Sequence, residues 1–283
     1  AAGGYVEYDP ETGEYSLTPE QAFALSDPDG AVFAPGAFEF ALGALRSEQK
    51  VIQAFRTGEG VGWHEHDEEV FSGCERFFRP GYAANLVASW LPALDGVETK
   101  LSAGAKVADI GCGHGASTAL MARAFPNSSF TGSDYHEESI TQARKRIADA
   151  GLDGQVSFDV ASAQTFGGGP YDLVTSFDCL HDMGDPLGAA RHIREMLAPE
   201  GTWMVVEPYA GHSVADNLNP VGRVYYSFST FVCVPNALSQ DGGYSLGAQA
   251  GEEPIRRLTA DAGYTRFRRV AETPFNIVYE ARP

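Results

Sequence analysis

Residues 106–115 read Lys106-Val107-Ala108-Asp109-Ile110-Gly111-Cys112-Gly113-His114-Gly115. A short β-forming run, Lys106 to Ile110, ends in three glycines at every second position. Ala116 to Phe125 then reads as a helix, stopped by Pro126. Strand, glycine-rich turn and helix in that order bring backbone N–H groups close to a ligand at a helix N-terminus. The spacing is not the G-x-G-x-x-G of dinucleotide folds, because the third glycine comes one residue early. A second strand, Ser129 to Ser133, ends at Asp134, about twenty residues past the glycines, where an acid accepts ribose hydroxyls in nucleotide folds. Asp134 also precedes a helical run, His136–Ala150, so turn or capping work is open to it as well.

Asp-x-Gly-x-Gly-x-Gly with that downstream acid resembles the cofactor loop of class I S-adenosylmethionine (SAM) methyltransferases. The resemblance implies SAM as cofactor. It implies that Asp109, Gly111, Cys112, Gly113 and Gly115 surround the amino-acid end, and that Asp134 takes the ribose. Tyr135 would pack on adenine. The third strand, Gln155 to Val160, runs into Ala161-Ser162-Ala163, where the family commonly has Asp-Ala. Ser162 replaces that acid, with Ala163 beside it. The fourth strand, Tyr171 to Phe177, places Phe177 and Asp178 near the methionine part. Plain core packing is the alternative for Tyr135 and Phe177.

Strands and helices alternate from residue 105 onward. Asp185 and Pro186 open a helix as cap and first residue, and Thr202 to Glu207 is a fifth strand. Such alternation implies a parallel sheet covered on both faces. Arg266–Ala271 and Phe275–Ala281 are joined too closely for a parallel crossover, so they form an antiparallel pair, with Phe275, Ile277 and Tyr279 facing inward. The expected fold class is α/β: a Rossmann-like doubly wound sheet of mostly parallel strands with an antiparallel C-terminal strand, plus a mainly helical N-terminal part. Residues 96–283 are expected to form the methyltransferase domain, and residues 1–95 a partial winged-helix hairpin and helical cap.

That hairpin pairs Tyr5–Tyr8 with Glu14–Leu17 around Gly13. The chain begins at Ala1-Ala2-Gly3-Gly4, and the hairpin looks like the wing of a winged-helix domain whose earlier helices precede it. Thr18 and Pro19 open a short helix. Phe38–Phe55 carries Phe38, Leu42, Leu45, Ile52 and Phe55 near a helical period, and is expected to bury that stripe. Glu68–Phe78 and Ala83–Leu91 are expected as two helices parted at Pro80-Gly81.

The 283 residues carry 20 basic and 38 acidic side chains, a formal net charge of −18. That surface repels phosphate backbones and anionic lipid, so neither nucleic acid nor membrane is an expected partner. Four scattered cysteines, Cys74, Cys112, Cys179 and Cys233, indicate neither a disulfide framework nor a zinc site, and suggest a reducing cytoplasm. No metal is expected, although His64-Glu65-His66-Asp67 groups ligand types on a loop without helical ligand spacing.

Leu180-His181-Asp182 lies just past the fourth strand and resembles the His-Asp motif of small-molecule O-methyltransferases of bacterial secondary metabolism. There the histidine acts as general base, and His181 is the catalytic candidate. An imidazole titrates near the working pH, as a base for a phenol or enol requires. The long segment Tyr209–Ala250, with Tyr225, Tyr226, Phe228 and Phe231, is expected to form with residues 38–95 an apolar lid over a small-molecule acceptor, a homodimer interface, or both. Two other functions stay open: a winged-helix regulator sensing SAM or a metabolite, and an N- or C-methyltransferase working by proximity without a base.

Overall fold

A computed structural model describes every residue of the chain except Asp29. At its start, β1 (Glu7–Tyr8) pairs antiparallel with β2 (Tyr15–Ser16), shorter than the run expected. Helix α1 (Pro19–Leu25) opens as its sequence predicts: Thr18 accepts from the Gln21 N–H while Gln21 reaches back to the Thr18 N–H.

The expected Phe38–Phe55 helix is two helices, α2 (Pro35–Arg46) and α3 (Glu48–Thr57), broken at Ser47. The stripe also points the other way. Phe38, Leu42, Leu45 and Phe55 are 49–73% exposed, while α2 buries Gly36, Phe40, Gly43 and Ala44. The reason is a close helix crossing. Helix α4 (Glu68–Asn85) lies so near α2 that a Cβ on Gly73 would stand 2.3 Å from the Phe40 nitrogen, and one on Gly43 2.6 Å from that of Val70. Small residues, rather than the large apolar ones, mark this interface. Pro80 does not end α4. Its ring is buried, the helix runs on to Asn85 and continues as a π turn at Leu86–Trp90. Packing on both sides outweighs the lost N–H. Helices α5 (Leu91–Ala93) and α6 (Val97–Ala103) lead into the sheet.

Seven strands follow: β3 (Lys106–Ile110), β4 (Ser129–Asp134), β5 (Val156–Val160), β6 (Tyr171–Phe177), β7 (Leu197–Pro208), β8 (Arg266–Glu272) and β9 (Asn276–Arg282). Their spatial order is β5-β4-β3-β6-β7-β9-β8. The first five are mutually parallel, and β9 inserts antiparallel between β7 and β8. This is the doubly wound sheet expected, with one correction in β9. All seven of its residues are buried, whereas Phe275 lies before the strand and is partly exposed. A strand flanked on both edges and covered on both faces has no reason to alternate.

Side chains alternate between two cores. Val107, Phe130, Leu173, Met204 and Val206 face one, with α7 (Ala116–Ala124) and α8 (Glu137–Asp149). Ala108, Ile110, Val174, Trp203 and Val205 face the other, with α9 (Pro186–Met196) and α12 (Glu252–Asp261). The first core also takes in Tyr82, Leu86, Trp90 and Leu91, so packing runs unbroken across residues 95 and 96. Between β7 and α12 the long connection forms α10 (Pro220–Phe228), a π turn at Ser229–Cys233 and α11 (Val234–Leu238). It packs Phe228 on Phe40, ring centroids 4.1 Å apart, and is bonded through Asn236 to the Trp63 N–H at 3.0 Å. The expected joint lid is therefore present over the carboxyl ends of the parallel strands.

Candidate active site

A cavity opens where that lid meets the strand ends, the crevice in which open α/β sheets bind ligands. Its floor is the glycine turn at Gly111 and Gly113; Gly115, expected beside them, faces Phe158 and Ala143 in the core instead. Gly111, Gly113 and Gly115 have φ of 68°, 50° and 72°, a left-handed backbone that larger residues adopt at a cost. A Cβ on Gly113 would meet no atom within 4 Å, so the loop is open there, directly before the N-terminus of α7.

The structure separates the two acids assigned to this end. Asp109 does not face the cavity. It is buried beneath the loop, where its carboxylate accepts from Ser117 at 2.7 Å, Thr118 at 2.6 Å and Thr175 at 2.9 Å. Its work is to tie β3, β6 and the start of α7 together. Asp134 does line the cavity. One of its oxygens accepts from the Gly113 N–H at 3.0 Å and the other from the His136 N–H at 2.9 Å. Both the turn role and a ligand role are thus open to it, because each carboxylate oxygen has a second acceptor site. Burial raises its pKa despite these bonds.

Cys112, Tyr135, Ser162, Ala163, Phe177 and Asp178 all line the same cavity. The Ser162 hydroxyl lies 3.0 Å from that of Thr165, within one turn. Asp178 sits at φ 49°, the one non-glycine residue with positive φ among those described. Its carboxyl accepts from the Tyr82 hydroxyl at 2.5 Å and from the Asn276 amide at 2.9 and 3.1 Å. Burial nonetheless pushes its pKa up to about 8, with the charge on Glu207 adding to the shift.

His181 stands on a 3₁₀ turn, Leu180–Asp182, at the mouth of β6, with its ring buried. Its Nδ1–H donates to Glu207 Oε2 at 2.7 Å, and the other Glu207 oxygen accepts from the Leu180 N–H at 3.0 Å. Its Nε2 lies 3.2 Å from Asp182 Oδ1. Burial alone would lower the imidazole pKa; the carboxylates of Asp182 and Glu207 outweigh it and hold the value well above the ordinary one. The lid fixes this turn from above. Asn236 and Gln240 donate to the Asp182 carbonyl at 3.3 and 2.9 Å.

Sequence reasoning passes over Glu207, Tyr82 and Asn276. Glu207 leaves a signal: an acid that closes the apolar run Val205-Val206 at a strand's carboxyl end. Tyr82 and Asn276 leave none, since each reaches Asp178 from nearly a hundred residues away in sequence. The His64–Asp67 group does not converge on a common centre among the described residues; His66 is buried with neither ring nitrogen bonded, and burial lowers its pKa to about 4.

A family model described as a methyltransferase domain matches residues 101–244, just over half of the chain. The chain belongs to this methyltransferase family. Methyltransferase GfsG of Streptomyces halstedii is 27% identical over 132 residues, 46% of this chain and 47% of that protein. The chain spans about half the length of the curated relatives it matches. Among solved structures, a putative O-methyltransferase from Nostoc punctiforme superposes with a TM-score of 0.69 at 20% identity, covering 99% of this chain and 81% of that one. NcsB1, an O-methyltransferase from neocarzinostatin biosynthesis, solved with S-adenosyl-L-homocysteine and 1,4-dihydroxy-2-naphthoic acid, superposes at 0.60 with 19% identity, covering 100% of this chain and 82% of that one. At those identities the likeness concerns the fold, and this family member shares it along its whole length.

Proposed function

We propose that this methyltransferase moves a methyl group from SAM to an oxygen of a small-molecule acceptor, with His181 as general base. The observation that carries the reading is the buried His181–Glu207 pair, 2.7 Å apart, on the cavity wall beyond the glycine loop. A base needs a lone pair aimed into the cavity and a partner that holds the other nitrogen protonated. Glu207 is that partner. When bound, SAM supplies a methyl that is already electrophilic on its sulfonium. The N-terminus of α7 and the open Gly113 suit its carboxylate, Asp134 the ribose, Tyr135, Ser162 and Ala163 the adenine, and Phe177 with Asp178 the methionine part. Glu207 orients the ring, His181 takes the acceptor's proton, and the lid aromatics Phe40, Tyr225 and Phe228 exclude water.

The acceptor class is read from the cavity. Its lid side is largely aromatic, which suits a flat, phenolic or enolic ring, the kind of compound that accompanies NcsB1. Net charge −18 argues against nucleic acid as acceptor or partner, and against a DNA-binding regulator. Among the described residues no helix is long and apolar enough to cross a membrane. Four free cysteines are what a reducing cytoplasm permits. The outward stripe Phe38, Leu42, Leu45 and Phe55, on the helical cap formed by residues 1–95, is where a second copy would be seated. The hairpin β1–β2 is read as the wing of that cap.

The test is product analysis with SAM and a phenol of high pKa, which needs a base. The wild-type protein is expected to return the O-methyl ether, and His181→Ala to turn over about 10²–10⁴-fold more slowly with cofactor affinity nearly unchanged. Most activity surviving in His181→Ala on such an acceptor would give the proximity mechanism the case.

A further inference from the structure

We propose that His181, Asp182 and Cys233 form a three-ligand site for a zinc-class divalent cation, and that occupying it withdraws His181 from service as a base. The second half rests on the function proposed above; the first does not. Sequence spacing gives no hint of it, because Cys233 belongs to the lid and only the fold carries it to the strand end.

The ligand atoms of the three side chains all lie within 4.8 Å of one another, and the His181 Nε2 to Asp182 Oδ1 distance is 3.2 Å. Zinc bonds of about 2.0–2.3 Å set tetrahedral ligands roughly 3.3–3.8 Å apart, so small side-chain shifts would complete the set. One nitrogen, one oxygen and one sulfur suit a borderline-soft cation and not Mg²⁺ or Ca²⁺, which favour all-oxygen sites. Three protein ligands leave a fourth position, as in open zinc sites.

Two further observations point to a ligand. Asp182 Oδ1 is buried and makes no hydrogen bond of proper geometry, although it stands beside the His181 ring. A buried acceptor whose only nearby donor is poorly directed is under-satisfied, and a cation would satisfy it. On the other side of the ring, Glu207 accepts from Nδ1–H and so directs the lone pair of the neutral tautomer to Nε2, toward Asp182 and Cys233. A carboxylate behind a metal-bound imidazole is the usual outer shell of zinc histidines. The Cys233 sulfur lies within 4.8 Å of the ligand atoms of both His181 and Asp182.

Binding is a proton-for-metal exchange. The Cys233 S–H and the Nε2–H of the imidazolium both give their protons to solvent, Zn–S and Zn–N bonds form, and no electron changes hands. The bound cation would join the Leu180–Asp182 turn to the π turn Ser229–Cys233, fastening the lid over the site.

Chelator-treated full-length protein titrated with Co²⁺ should develop the near-ultraviolet absorption of a cobalt-thiolate bond, complete at one equivalent and abolished by added Zn²⁺. Cys233→Ser should lose this band and Cys74→Ser should keep it. Glu207→Gln should bind about 10–100-fold more weakly. Should Cys233→Ser fail to fold by thermal melting, Asp182→Ala, expected at least tenfold weaker, decides the same point. No thiolate band in the folded wild-type protein, a band that survives in Cys233→Ser, or an unchanged affinity in Asp182→Ala would overturn the site. Equimolar Zn²⁺ should also suppress methyl transfer until a chelator is added. A thiolate band with undiminished turnover would leave the site standing and remove His181 as base.

Discussion

At the scale of single residues, the site is an accumulation of acids around one imidazole. His181 is held well above its ordinary pKa by Asp182 and Glu207 against the effect of burial. The imidazole therefore becomes a base only as pH rises through the raised value. The profile of kcat/KM, which reports the free enzyme, should climb through a pKa above the usual imidazole value. Glu207→Gln removes one of the two carboxylates, so the limb should move to lower pH while the rate falls; a limb that stays in place would show that the charge of Glu207 does not hold the imidazole pKa up. Asp178 offers a second test. With its pKa pushed up to about 8, the carboxyl is mostly protonated at pH 7. A sulfonium brought beside it favours the carboxylate and lowers that pKa, so SAM binding should release up to about one proton, and S-adenosylhomocysteine less. Calorimetry in buffers of different ionisation enthalpy measures this directly. Equal proton release by the two ligands would place the sulfonium away from Asp178.

At the scale of elements, what was legible depended on whether the signal was local. Thr18 with Pro19 and Asp185 with Pro186 mark helix starts because capping is settled within four residues. The strand Lys106–Ile110 and the strand Tyr171–Phe177 hold to the residue. The stripe Phe38–Phe55 misled because a helical period states that a face is apolar without stating what covers it. Here the covered face of α2 carries Gly36, Phe40, Gly43 and Ala44 against Gly73 of α4, and a glycine's only signal is the absence of a side chain. Pro80 misled for a related reason: tertiary packing keeps α4 going. At the cavity, the glycines and Asp134 carry a spacing signal and His181 a motif resemblance, whereas Tyr82, Asn276 and Cys233 arrive through long-range topology. The helix crossing is testable. Gly73→Ala sets a Cβ 2.3 Å from backbone at Phe40, which cannot rotate away. It should destabilise by about 1–3 kcal/mol or more, seen as a lowered midpoint in thermal melting, while Gly81→Ala, with no atom within 4 Å of its Cβ, should cost little. Equal midpoints for the two variants would mean that α2 and α4 are not so closely crossed.

At the scale of the whole molecule, an acidic surface and an apolar stripe act in opposite senses. Net charge −18 keeps copies apart in general, yet Phe38, Leu42 and Leu45 expose apolar area along one face of α2, and Phe55 is exposed on α3. A second copy seated there should make the protein a dimer by sedimentation, strengthened by salt as the repulsion is screened. Leu42→Glu with Leu45→Glu should return monomers that stay folded, since each side chain is about half exposed or more. A monomer at high concentration in both proteins would leave that face for another partner.

The strand β9 gives the molecule an order of events in time. It carries Asn276 to Asp178, and Phe275 just before it accepts from the Tyr225 hydroxyl at 2.6 Å and from the Tyr209 N–H at 2.8 Å. Yet β9 is the last strand of the sheet to leave the ribosome, and it must slot between β7 and β8, both already made. The far wall of the cavity is therefore finished only when the last strand of the sheet is seated, although the glycine turn and Asp134 belong to strands made long before.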